Sequence, residues 1–174
     1  QEVEISEAEL IKMVDAARLS PSSRNAQPIK FFISNDRNMN GSIFPNLAWA
    51  GYLKEWNGPE EGERPSAYVI LLHDKNISST YSCDNGIFAQ SILLQAVDLG
   101  FGGCMIASFK KEALTELLQL SENLEPIMVI ALGKPKEVVI VDDIKDGDIK
   151  YWRDESQNHH VPKRTLYELI YKIK

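Results

Sequence analysis

Ser20-Pro21-Ser22-Ser23-Arg24-Asn25-Ala26-Gln27-Pro28, followed at once by Ile29-Lys30-Phe31-Phe32-Ile33, is the stretch on which the reading of this chain turns. Pro21 disfavours a helical conformation at Ser20 and Pro28 does the same at Gln27, so the segment is expected to be an extended loop and not a turn of helix. Hydroxyls, carboxamides and a guanidinium crowd into it, a donor set suited to a phosphate, a polyol or the edge of a heterocycle. By composition alone it equally fits a polar surface connection.

The flanks supply a helix before the loop and a strand after it. Ser6-Glu7-Ala8-Glu9 is a capping box. Leu10, Ile11, Val14 and Ala17 then recur at helical spacing, which predicts a first helix ending near Leu19. Residues 29–34 read as a strand. Residues 35–41 are turn-rich, and residues 43–56 are predicted helical, with Trp49, Tyr52, Leu53 and Trp56 on or near one face. The Gly- and Pro-rich residues 57–66 should be irregular, and the apolar run 68–72 a strand buried on both faces.

Further along, Asp84 is placed to N-cap a helix that Gly100 stops after Leu99. Apolar side chains cover nearly all of its circumference, so it is expected to be buried on every side, in the core or at a subunit interface. Glycines lead into a strand at 102–107. An amphipathic helix follows at 111–120 and a buried strand at 127–132. The acidic stretch 138–151 holds an Asp146-Gly147 turn signal, and Thr165-Leu166-Tyr167-Glu168 opens a short helix with a second capping box. Strands alternating with helices predict an α/β sandwich, read as one domain over residues 1–174.

Composition narrows the function. A net charge of −6 over 174 residues argues against nucleic acid or an anionic membrane surface as the main partner. No apolar run reaches the roughly 18–20 residues of a membrane span. Two well-separated cysteines, Cys83 and Cys104, are simplest in a reduced, cytoplasmic protein, with a single disulfide as the alternative. Both are read as small buried or half-buried side chains. His159-His160 has no Cys or His at zinc-like spacing and is read as a local structural or surface pair, so no metal site is expected. The chain opens on Gln1, so residues are expected to precede it.

Residues 16–28 with the apolar strand behind them closely resemble the FMN-dependent nitroreductase family. Three more stretches fit. Asp84-Asn85-Gly86-Ile87-Phe88-Ala89-Gln90-Ser91-Ile92-Leu93-Leu94-Gln95-Ala96 is similar to the family's central helix, which packs against its symmetry mate in a homodimer. Leu99-Gly100-Phe101-Gly102-Gly103-Cys104-Met105-Ile106 is similar to the strand that passes the flavin. Ile130-Ala131-Leu132-Gly133-Lys134-Pro135, with Val161-Pro162-Lys163-Arg164-Thr165-Leu166, completes the order.

The resemblance implies a nitroreductase-like α+β fold, a central mostly antiparallel sheet flanked by helices, in a dimer with two FMN sites. A flavin carries out hydride transfer itself, so the protein binds and tunes it and no side chain is expected to be catalytic. Pro21, Ser22, Ser23, Asn25 and Gln27 are implied as the loop that touches the cofactor. Ile106, Ala107 and Ser108 are implied near flavin N5, and Lys163 and Arg164, supplied by the other subunit, near the phosphate. Asp84 matches a position close to the flavin pocket, although an N-cap role accounts for it as well. Trp49 and Trp56 are implied at the border of the substrate pocket. The expected reaction is a ping-pong transfer from NAD(P)H to a nitroaromatic or quinone. The alternatives are a specialised dehydrogenase, dehalogenase or flavin-consuming relative, or a low-turnover flavin binder for sensing or storage. One departure stands out. The family's Arg-Xaa-Ser-Xaa-Arg segment ahead of the first helix is not found in Gln1-Glu2-Val3-Glu4-Ile5, so it is expected to have been removed or to lie upstream; the alternative is weaker phosphate binding that depends more on Lys163-Arg164.

Overall fold

A computed structural model describes residues 3–173. Gln1 and Glu2, at the head of the stretch compared with the family's basic segment, lie outside the described residues. The chain divides into two compact units, Gln1–Ala48 with Pro59–Pro135, and Trp49–Gly58 with Lys136–Lys174.

In the first unit, helix α1 (Glu7–Arg18) begins at its predicted capping box. The Ser6 side chain accepts from the Glu9 amide at 3.3 Å, and Glu9 accepts from the Ser6 amide at 2.8 Å. The Ser6 hydroxyl also donates to the Glu9 carboxylate at 2.7 Å, and that bond, followed by the one from the Ser6 amide, holds the carboxyl below its usual range. Leu10, Met13 and Ala17 turn inward at helical spacing.

Strands β1 (Ile29–Ser34), β2 (Ala67–Asp74), β3 (Gly102–Ile106) and β4 (Leu124–Gly133) form one sheet in the order β1-β2-β4-β3. Every neighbouring pair is antiparallel, as the resemblance implied. β2 is buried along its whole length. Ala67, Val69 and Leu71 pack with Ile130 and Leu132 of β4 against Leu10, Met13, Phe88, Ala89 and Ile92 in a single core. Fully burying each of the larger side chains contributes about 1.5–3 kcal/mol. The register slips between Leu71 and Leu72, where β4 passes through Pro126, a residue with no N–H for the ladder.

Ion pairs pin the far ends of these strands. Asp74 accepts from Lys30 at 2.6 Å and Asn123 at 2.8 Å, bonds that pull its carboxyl down to about 2. Glu125 is bonded by Lys111 and Lys75, which likewise bring it to about 2.

Between β1 and β2 the structure corrects the sequence reading. Residues 35–41 are not merely turns: Asp36 caps helix α2 (Arg37–Ile43), its side chain accepting from Met39 N–H at 2.7 Å. The helix expected over 43–56 does not form. One 3-10 turn at Phe44–Asn46 ends regular structure, because Pro45 fits a first turn but not a helix interior. Residues 57–66 are irregular, as expected.

Helix α3 (Asp84–Asp98) ends at Leu99, with Gly100 at a φ of 81°. It is not buried all round within one chain. Phe88, Ala89, Ile92 and Ala96 face inward, whereas Leu94 and Val97 are 62% and 65% exposed. Its N-cap position belongs to Cys83 and not to Asp84. Cys83 and Cys104 are both exposed and not disulfide-bonded, contrary to the buried reading. Cys83 sits at that helix start and Cys104 on the edge strand β3, neither of which the core covers. Helix α4 (Lys111–Leu117) precedes β4.

In the second unit, β5 (Val139–Asp143), β6 (Trp152–Arg153) and β7 (His159–Lys163) form a sheet ordered β5-β7-β6. β5 runs parallel to β7 and β6 antiparallel. Thr165 then caps α5 (Leu166–Leu169) through the second predicted capping box.

Candidate functional site

The loop between Pro21 and Pro28 is more compact than its prolines predicted. Ser22 is extended, but Ser23–Asn25 close a 3-10 turn, with Asn25 N–H bonded to Ser22 C=O at 2.9 Å. Arg24, Asn25 and Gln27 have φ values of 53°, 55° and 51°, all in the left-handed region. Side chains there cost energy and persist only where surrounding contacts hold them, and such residues gather at ligand sites. The prolines restrict only the residue before each, so a turn between them remained open.

Asp84 supplies the holding contacts. Its side chain is fully buried at the start of α3. One oxygen accepts from the Ser22 hydroxyl at 2.6 Å and the other from Ser23 N–H at 2.9 Å. The Ser22 oxygen in turn accepts from Gln27 N–H at 2.9 Å, which draws the loop shut. Asp84 is therefore the anchor of the loop, a role that sequence reasoning did not weigh. With Ser22 committed to Asp84, the exposed groups of the loop are Ser23, Arg24, Asn25 and Gln27. Asn25 and Gln27 also bond each other, Gln27 Nε2 donating to Asn25 Oδ1 at 3.1 Å. Arg24, not among the expected site residues, is exposed on the same loop, and its position inside the motif was the available signal.

On the same unit, β3 ends in the segment expected near the flavin. Ile106 is buried while Ala107 and Ser108 are exposed. The Ser108 carbonyl accepts from Ala48 N–H at 2.9 Å, and Lys110 N–H donates to Asn46 at 2.8 Å, fixing the strand's exit. Gly103 lets β3 approach β4 and α3 closely, since a Cβ there would run into the Ala131 carbonyl oxygen.

Lys163, Arg164, Trp49 and Trp56 all belong to the second unit. Both basic side chains are exposed at and just beyond the end of β7, and Arg164 has only a loose contact of 3.9 Å with Glu168. Trp49 and Trp56 meet edge to face with ring centres 6.5 Å apart, but not on one helix. The Arg153 guanidinium lies 4.7 Å over the Trp56 ring, so one face of that platform is already taken. The structure thus joins Ser22, Ser23 and Gln27 to Asp84 and sets Ile106, Ala107 and Ser108 in the same unit. The open groove lined by His73, Lys75, Tyr81 and Glu125 contains none of the expected residues.

Comparison with known proteins decides the family. The nitroreductase family profile matches residues 1–134. The chain belongs to the nitroreductase family. A relative from Archaeoglobus fulgidus, provisionally named NADH dehydrogenase/NAD(P)H nitroreductase, is 29% identical over 142 residues, covering 77% of this chain and 76% of its own. A solved FMN-dependent nitroreductase from Clostridium difficile R20291 superposes with a TM-score of 0.68 at 20% identity, covering 100% of this chain and 91% of that one. A nitroreductase family protein from Streptococcus pneumoniae TIGR4 gives 0.68 at 15% identity, covering 99% and 92%. These likenesses establish a nitroreductase fold. No helix among the described residues is long and apolar enough to cross a membrane.

The donor set fits a flavin mononucleotide. Exposed hydroxyl and carboxamide groups on a strained, anchored loop match ring-edge and ribityl partners without adding charge. Two adjacent exposed cations match a phosphate.

Proposed function

We propose that this member of the family binds FMN and is an NAD(P)H-dependent oxidoreductase acting on an electron-poor acceptor such as a nitroaromatic or a quinone. When bound, FMN supplies the hydride chemistry, with donor and acceptor visiting the site in turn. The protein's part is to hold and orient. Pro21, Ser22, Ser23, Asn25 and Gln27 form the cofactor loop, and Asp84 keeps it in place from beneath. Ile106, Ala107 and Ser108 border the ring, Lys163 and Arg164 take the phosphate, and Trp49 and Trp56 border the acceptor. The observation that carries this reading is the loop itself, which holds three left-handed residues and is anchored at Ser22 and Ser23 by one buried carboxylate. Separated, exposed thiols suit a reducing cytoplasm.

Replacing Lys163 and Arg164 together with Gln tests the phosphate assignment. Charge-assisted bonds to phosphate are lost, so FMN affinity should fall about ten- to hundredfold. Riboflavin has the same ring and no phosphate, and its affinity should stay within about twofold of wild type. Calorimetric titration of both ligands makes the comparison, and equal losses would remove the pair from the phosphate site.

We further propose a homodimer built on α3. The exposed apolar side chains of that helix are Leu94 and Val97, while Ile92 is fully buried and Leu93 reaches within 3.0 Å of where a Gly103 Cβ would sit. An unpartnered apolar surface of this kind favours association. Leu94→Asp should therefore shift light scattering from a dimer mass to a monomer. A wild-type monomer at micromolar concentration would exclude the arrangement.

A further inference from the structure

We propose that His160, gripped by the carboxylates of Asp142 and Asp154, is a positioning residue that fixes β7 and so presents Lys163 and Arg164. The functional part of this inference rests on the reading of that pair as the phosphate site.

β7 is a weakly supported central strand. One neighbour, β6, is two residues long, and the other, β5, pairs in parallel. Pro162 lies opposite Asp142 and has no N–H to give the ladder. His160 makes up for this from its side chain. Its Nδ1 is 2.7 Å from Asp142 Oδ2 on β5, and its Nε2 is 3.3 Å from Asp154 Oδ2 just beyond β6. One ring therefore ties β7 to both flanks. Trp152 of β6 stacks on it with ring centres 4.0 Å apart and planes 11° from parallel. Asp154 is itself fixed by the backbone and side-chain N–H groups of Asn158, at 2.8 and 2.9 Å. Beyond the ring, the Lys163 carbonyl accepts from Ile144 N–H at 3.0 Å, where the chain leaves β5.

The grip depends on the proton count of the ring. The imidazolium can donate from both nitrogens, one to each carboxylate. A neutral ring donates from one nitrogen and turns a lone pair toward the other carboxylate. The bond to Asp142 is the main cause raising the His160 pKa above its usual 6.5; partial burial opposes it and Asp154 adds to it. Asp142 and Asp154 are the charged groups facing the ring. Neighbouring His159 is instead paired with Glu137 at 3.0 Å, which also takes Arg153 at 2.7 Å. Because the folded pKa is raised, the stabilisation is complete below about pH 6.5 and is lost as pH rises through the folded value.

The test follows the ring and the strand together in the full-length protein. NMR gives the His160 titration, and hydrogen exchange gives the protection of the Ile144 amide, corrected for the intrinsic rise in exchange with pH. In the wild type, protection should fall on the order of tenfold as the ring loses its proton. FMN affinity should weaken over the same window more than riboflavin affinity. In His160→Gln the pH dependence should vanish, and in Asp142→Asn both midpoints should move down together. Protection that stays flat through the ring's titration, or a pH dependence unchanged in His160→Gln, would overturn the proposal. If protection follows the ring but FMN and riboflavin respond alike, it is the phosphate reading of Lys163 and Arg164 that fails, while the grip on β7 stands.

Discussion

Replacing Asp84 with Ala is expected to cost about 2–4 kcal/mol of stability and to abolish tight FMN binding. The substitution strips the Ser22 hydroxyl and the Ser23 amide of the acceptor they share, 2.6 and 2.9 Å away in the native chain. Bonds to a charged group contribute more than neutral ones, and a partner left unpaired in a buried setting adds its own penalty. The left-handed conformations of Arg24, Asn25 and Gln27 then lose the contacts that offset their strain. Asp84→Asn keeps an acceptor for one partner and should show about half the loss. Urea denaturation and flavin titration separate the two consequences. Wild-type FMN affinity in a folded Asp84→Ala protein would mean that the loop does not meet the cofactor.

The second large effect is expected at Gly103. Gly103→Ala should lower stability by about 2–3 kcal/mol, because its Cβ would strike the Ala131 carbonyl and lie 2.9 Å from Leu132 Cδ2. The carbonyl is part of β4, which is paired on both sides and cannot retreat. Two controls frame the measurement. Gly102→Ala meets only the Pro135 ring, at 2.8 Å, so a smaller loss is expected. Gly86→Ala, inside α3 with no atom within 4 Å of the new Cβ, should gain about 0.5–1 kcal/mol from helix propensity. Indistinguishable denaturation midpoints for Gly103→Ala and wild type would disprove the close approach of β3 to β4.

Much of this fold was legible where local chemistry and long-range packing agree. The capping boxes at Ser6 and Thr165, the strand at 29–34 and the stop at Gly100 all formed as read. The misreadings share a cause. Residues 43–56 carry apolar side chains at near-helical spacing, yet Pro45 ends the helix, and Trp49 and Trp56 find each other and Arg153 within the second unit. Periodicity reports that side chains want burial, not which surface buries them. Asp84 was legible as important but not in its role, because a contact with Ser22 and Ser23 across such a sequence separation leaves no local pattern. The same holds for His160, whose two carboxylates come from β5 and from the residue just beyond β6, in a sheet that sequence spacing did not reveal.

The second unit also has a consequence for how the chain is made. Residues 49–58 leave the first unit's sequence early, but the groups that complete them come from the far end: Tyr151 accepts from the Tyr52 amide and Arg153 covers Trp56. During synthesis residues 49–58 emerge before Tyr151 and Arg153, so the Tyr52 amide and the covered face of Trp56 wait for residues beyond Lys136. The first unit can form before then; the second cannot. A ribosome stalled in that interval would display an aromatic segment without the Arg153 and Tyr151 contacts that complete it, and slower translation there would prolong the exposure.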